Sequence, residues 1–198
     1  MSTRWLVSAD DPTISHRDFI DLLERTRNPR QRRILETVIR HDRAEADRDM
    51  ERVMATLSPE PVYRRWGATG DTGPKGTEAV RAHYEAMFAR GGIGNLTVKR
   101  ETIVMDDGAI AIEHRVSHIW PWRLAEEAGY KVPERQGHYA CHVHLATLIS
   151  FDDDALIIGE TSYGFPPSPI DFEPVADDEL SPGYLNWLRQ FRPESATG

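Results

Sequence analysis

His138-Tyr139-Ala140-Cys141-His142-Val143-His144-Leu145-Ala146-Thr147-Leu148-Ile149-Ser150-Phe151 is the stretch that decides the fold. β-Branched and aromatic residues recur through it and neither Pro nor Gly interrupts it, so it reads as a strand. A strand sends alternate side chains to opposite faces. Tyr139, Cys141, Val143, Leu145, Thr147, Ile149 and Phe151 therefore share one face, and His138, His142 and His144 share the other with Ala140, Ala146, Leu148 and Ser150. Upstream, Ala109 to Trp120 has the same period, with His114 and His118 in phase. If the two strands pair with their even-numbered residues together, one sheet face carries five histidines. That face is the expected active surface.

Working outward, helical signals come first and strand signals last. Ser15 caps a helix predicted over about 16–27, whose sticky side is Phe19, Ile20, Leu22 and Leu23. Asn28-Pro29 ends it. The longest helical pattern runs from Arg30 to about Leu57 through Ile34, Leu35, Val38, Ile39, Asp42 and Glu45, a face apolar at first and acidic later. Ala46 to Asp49 interrupts it, and Asp47 is the expected cap of the second piece. Pro61 to Trp66 reads as a short strand, and a third helix runs from Thr77 through Val80 and Tyr84 to Gly91-Gly92. Leu96–Met105, Ala109–Trp120, His138–Phe151 and Ala155–Tyr163 are strands, the first two joined by a tight turn at Asp106-Asp107-Gly108. A short helix at 182–191 closes the pattern. Residues 1–29 read as a helical extension, 30–165 as the main domain, and 166–198 as a tail whose helix is a candidate lid.

The bulk numbers narrow the function. A chain of 198 residues with a formal charge of −8 suits one domain with extensions and disfavours a nucleic-acid partner. No apolar run approaches the ~20 residues of a membrane span, and no signal-peptide pattern begins the chain, so a cytoplasmic location is expected. Cys141 is the single cysteine, placed on the apolar strand face as a small core residue. The Tyr139–Phe151 face is too hydrophobic to stay wet, which predicts a homodimer or homotrimer across it.

Helices followed by a meander of long strands form an α+β pattern, in which a twisted sheet wraps around the helices and leaves a conical cavity. The stretch Asp49 to Pro59 with its following strand, Gly76 to Tyr84 at the head of the third helix, and the hairpins at Asp107-Gly108 and Asp153-Asp154 resemble the cone-shaped, cystatin-like superfamily of nuclear transport factor two. That superfamily includes ketosteroid isomerase, scytalone dehydratase and SnoaL-like polyketide cyclases. The resemblance covers about 30–163 and implies helices packed in the concave side of a curved antiparallel sheet. The pattern is nearest to scytalone dehydratase, with a Tyr and an Asp at the end of the first helix, a Tyr on the first strand and histidines on two later strands. On that pattern Glu45-Ala46 stands at the Tyr-Asp position, Asp42 lies one turn earlier, Tyr63 has the parity of the strand Tyr, and His118 or Trp120, His142 and His144 match the strand positions. The first strand histidine of the family is replaced near Asn95.

Histidines that titrate near neutrality, grouped in a dry cavity, provide an acid and a base without a cofactor. The expected catalytic groups are His118, His142, His144, Tyr63 and Asp42. The expected substrate contacts are His41, Glu45, Asn95, Arg100, His114, Trp120 and Trp187. The expected activity is a cofactor-independent lyase, releasing water or formaldehyde from a small hydroxylated aromatic or polycyclic molecule, with an isomerase or cyclase as the close variant. Two alternatives stand beside it. His142-x-His144 has the spacing of a strand metal site, with His114 or His118 as third ligand; the primary reading assigns no metal. A non-catalytic binding or assembly domain is the other.

Overall fold

The computed structural model describes residues 14–67, 69–89, 96–127, 130–164, 172–180 and 182–191. Among the described residues there are six α-helices, α1 (Ile14–Arg25), α2 (Pro29–Asp47), α3 (Met50–Met54), α4 (Thr77–Ala89), α5 (Trp122–Glu127) and α6 (Pro182–Phe191), and seven strands. The strands are β1 (Arg64–Gly67), β2 (Gly70–Asp71), β3 (Leu96–Met105), β4 (Ala109–Pro121), β5 (His138–Phe151), β6 (Ile157–Gly164) and β7 (Phe172–Val175). The sheet order is β2-β1-β6-β5-β4-β3, with β7 continuing beside β5 where β6 leaves it. Pairing is antiparallel except for β1 on β6. This is the α+β cone expected from the element order.

Local chemistry sets the helix ends. The Asn28 side chain accepts the Arg30 and Gln31 N–H groups and Pro29 opens α2, an arrangement that satisfies orphan donors at low entropic cost. The break after α2 differs from the sequence reading. Arg48 takes the left-handed conformation (φ 55°), and Asp49, not Asp47, accepts the Arg52 N–H to cap α3. Asp47 instead pairs with the Arg52 guanidinium at 2.7 Å. Strand β7 carries no strand signal in the sequence, because its four residues contain a Pro; it pairs with β5 as an edge strand.

The main core lies between α1, α2, α4 and one end of the sheet, where Phe19, Ile34, Leu35, Val38, Val80, Ile110 and Ile157 are fully buried. Ile149 and Phe151 join it. The odd-numbered face of β5 is thus covered by this chain's own helices, and at its other end Tyr139 and Cys141 pack with Ala125 and Phe172. The two ends of the face expected to form a subunit interface are taken up by this chain's own packing, and Val143, Leu145 and Thr147 between them are half-buried. On the opposite, convex face α6 packs Tyr184, Trp187 and Leu188 onto Ile119 and Ala140. The tail helix therefore backs the sheet and does not close the concave hollow.

Gly159 shows how tightly the first strand region is docked. A Cβ there would lie 2.0 Å from the Val62 carbonyl oxygen, beside the bond from the Val62 N–H to the Ile158 carbonyl. Gly159→Ala is expected to destabilise the fold by about 2–3 kcal/mol, read from the midpoint of urea unfolding. A midpoint equal to the parent's would refute this docking.

Candidate active site in the cone

The register of the two central strands decides which side chains meet. Ile110 pairs with Ile149, His114 with Leu145 and His118 with Cys141, so even residues of β4 share a face with odd residues of β5. The isoleucines mark that face as concave, because they lie in the core under α2. His114 and His118 are concave; His138, His142 and His144 are convex. The expected row of five histidines is split by the register, three rings behind the sheet and two in front.

What the hollow holds instead is a buried polar chain. His41, on the inward stripe of α2, is 2 % exposed. Its Nδ1 lies 2.7 Å from Thr56 Oγ1, and the Thr56 hydroxyl itself donates to the Val53 carbonyl at 2.6 Å. The hydroxyl proton being committed, Thr56 accepts and His41 Nδ1–H donates. His41 Nε2 lies 3.0 Å from the Tyr84 hydroxyl, 3.4 Å from Glu45 and 3.8 Å from Glu160. Burial opposes a charge on this ring, but the hydrogen bond and charge of Glu45, with Glu160 and Asp42, outweigh it and hold the imidazolium up to about 9. Both ring nitrogens therefore donate at neutral pH. Tyr84 accepts from Nε2–H, and its own proton is free for the Tyr63 hydroxyl 3.0 Å away. The Tyr63 proton then faces the cavity. Burial keeps both phenols protonated, with the Glu160 charge helping at Tyr63 and the Glu45 charge at Tyr84.

Glu160 stands across from this chain. Burial, opposed by His41 and reinforced by Glu45 and Asp42, raises its carboxyl to about 7. A cavity of about 180 Å³ opens over these groups, lined by Glu45, Tyr63, Tyr84 and Glu160 with Arg65, His83, Met87 and Ser162. It is smaller than the pockets that enclose drug-sized ligands. A β-bulge turns Glu160 inward: Phe151 pairs with Ile157 but Ser150 with Gly159, so Ile158 is the extra residue and the alternation shifts by one. Ile157 and Glu160 both face in as a result. A second bulge, at Glu101 on β3, turns Arg100 inward opposite His114.

Residues 38–160 match the SnoaL-like domain model. The chain belongs to the SnoaL-like domain family. Solved structures share its nuclear transport factor two-like fold at low identity. A protein from Jannaschia sp. CCS1 classed as a SnoaL-like polyketide cyclase is 16% identical with a TM-score of 0.50, over 71% of this chain and 90% of that one. An NTF2-like protein of unknown function from Cytophaga hutchinsonii is 16% identical with a TM-score of 0.45, over 65% of this chain and 96% of that one. Rv0760c from Mycobacterium tuberculosis, in complex with estradiol-17beta-hemisuccinate, is 18% identical with a TM-score of 0.46, over 66% of this chain and 92% of that one. No curated protein sequence matches the chain. Among the described residues no helix is long and apolar enough to cross a membrane.

Within this SnoaL-like cone the residues singled out from sequence fall into three groups. Tyr63 and Glu45 line the cavity, and His41 is buried behind them, bonded to Tyr84 and close to Glu45. Asp42 leaves the chain of bonds and pairs with Arg100 at 2.8 Å, with the Phe19 ring 4.2 Å from that guanidinium; the pair ties α2 to β3 beneath α1. Both lie beside His114, whose Nε2 is 3.0 Å from Thr147 Oγ1 and whose burial, with the Arg100 charge, lowers it to about 4. His118, half-buried beside Trp120, is lowered to about 4 by burial alone. These two concave histidines are neutral at physiological pH and lie outside the lining of that cavity. Asn95 lies outside the described residues.

The third group is behind the sheet. His142 Nδ1 is 2.7 Å from Ser117 Oγ, and His144 lies 3.4 Å from both Glu101 and Glu113. Neither ring reaches the cavity. The expected metal set of His142 and His144 with His114 or His118 is excluded by register, since the third ligand would have to pass through the sheet. Trp187 stacks on Tyr184 within α6, on the convex side, and is likewise remote from the hollow. Sequence reading missed Glu160, Tyr84 and Thr56. Tyr84 had the signal of a polar-tipped residue in a buried helical stripe (Val80, Tyr84), and Glu160 that of a lone charge in an apolar strand; Thr56 had none.

Proposed function

We propose that this SnoaL-like protein is a cofactor-independent acid–base enzyme for a small hydroxylated molecule, with loss of water as its reaction. The observation that carries the reading is Glu160, a half-buried carboxyl raised to about 7, beside a phenol whose proton is directed outward by a charged hydrogen-bond chain. A base poised near neutrality is half ionised where it works and can both take and return a proton. Glu160 removes a proton from a carbon next to a carbonyl, and the electron pair moves onto the carbonyl oxygen. Tyr63 donates to that developing oxyanion, backed by Tyr84 and the His41 imidazolium, in the manner of an oxyanion hole. The enolate then expels the neighbouring hydroxyl, which takes the proton from Glu160 and leaves as water. The carboxylate is restored and one carbon–carbon double bond is gained.

Loss of formaldehyde from a hydroxymethyl group beside the carbonyl uses the same groups: Glu160 takes the hydroxyl proton, the carbon–carbon bond breaks as its electron pair moves onto the carbonyl oxygen held by Tyr63, and Glu160 returns the proton to the carbon as the carbonyl re-forms. Returning the proton to a different carbon gives the isomerase variant. Tyr63→Phe removes the terminal donor and leaves the ring in place. It is expected to lower kcat on a panel of hydroxylated aromatic ketones by about 10²–10³-fold, with an unchanged circular dichroism spectrum. Full activity in that variant would sink the assignment of Tyr63.

A further inference from the structure

The cavity is electrically lopsided. Its floor holds Glu45 and Glu160, and its mouth holds Arg65 on β1, paired in register with Ser162 of β6, the next inward residue after Glu160. The Arg65 backbone is pinned: its N–H donates to Asp71 Oδ1 at 2.9 Å and its carbonyl accepts the Thr72 N–H at 3.0 Å. Its guanidinium has no carboxylate within ion-pair distance among the described residues. The nearby Asp71 carboxylate is already engaged by Lys75 at 2.8 Å. Arg65 thus presents a planar cation with no ion-pair partner among the described residues, in a cavity whose lining also holds Arg64 and the carboxylates of Glu45 and Glu160; its charge is close enough to lower the Glu160 carboxyl against the effect of burial.

From this placement we infer that Arg65 reads an anionic substituent, so the substrate is a small hydroxylated carboxylate whose charged end sits at the mouth and whose reacting end reaches Glu160. The inference rests on the acid–base reading of the same cavity and adds the substrate's charge to it. A carboxylate at the mouth meets a guanidinium in its preferred forked geometry. A neutral molecule leaves that cation to water. The carboxylates on the floor repel an anion, which orients such a substrate with its charge outward.

Titration calorimetry with 4-hydroxybenzoate and 4-hydroxybenzamide, which differ in charge and scarcely in shape, tests this. The parent protein is expected to bind the carboxylate about tenfold more tightly, and Arg65→Gln to erase that preference while keeping its affinity for the amide. The preference of the parent is also expected to shrink as salt rises, because Arg65 is solvent-exposed. Equal binding of the two probes by the parent, or an unchanged preference in Arg65→Gln, overturns the inference and leaves the acid–base reading standing. Binding of neither probe overturns both.

Discussion

Glu160→Gln is expected to lower kcat by about 10²–10⁴-fold while the protein stays folded. The substitution keeps the shape of the side chain and its place on the bulged segment of β6, but removes the group that takes and returns the proton. The parent's kcat is expected to rise with pH through about 7 as the Glu160 carboxylate forms, and that limb disappears in the variant. Stability supplies the control. At pH 8 the parent buries an ionised carboxylate and the Gln variant does not, so urea unfolding at that pH should find the variant at least as stable. A variant that retains the parent's turnover and its limb near pH 7 would remove Glu160 from the chemistry.

The second large effect is on stability, through His41. Its folded value of about 9 lies above the ordinary 6.5, so the native state binds that proton more tightly than the unfolded chain. The stabilisation is fully present below pH ~6.5 and is lost as pH rises through about 9, on the order of 3 kcal/mol in all. Glu160 acts in the same direction over a lower window. Its folded value of about 7 lies above 4.5, so its contribution is present below pH 4.5 and is lost as pH rises through 7. The parent should therefore weaken steadily from about pH 5 to pH 9. His41→Ala should cost about 3–5 kcal/mol at pH 6, because it strands Glu45 and breaks the bonds to Thr56 and Tyr84, and the alkaline part of the slope should vanish. Unfolding free energies measured at intervals of pH check both parts. A slope that persists between pH 7 and 9 in His41→Ala would show that another group carries it.

The strands, helices and cone were legible because each has a local cause. Unbroken β-branched runs made β4 and β5, Asn28-Pro29 separated α1 from α2, and Asp106-Asp107-Gly108 turned β3 into β4. Along α2 the 3.6-residue period put Glu45 and Asp42 on one stripe with His41 one turn before Glu45, and Tyr63 followed from its resemblance to the strand Tyr of scytalone dehydratase. These residues needed nothing distant to be found.

Pairing partners were a different matter. Alternation tells which residues of one strand share a face, but not which face of the next strand they meet; that depends on register, and a shift of one residue reverses it. The register Ile110 with Ile149 sent His142 and His144 to the back of the sheet. The bulges at Glu101 and Ile158 then broke alternation in the two strands that carry Arg100 and Glu160. Counting by twos from Ile157 places Glu160 outside; the extra residue brings it in. Sequence alone determined the main helices and strands and the cone, since those follow from propensity and period. Only the tertiary structure decided the sheet side, because register and bulges are settled by hydrogen bonds between residues far apart in the chain.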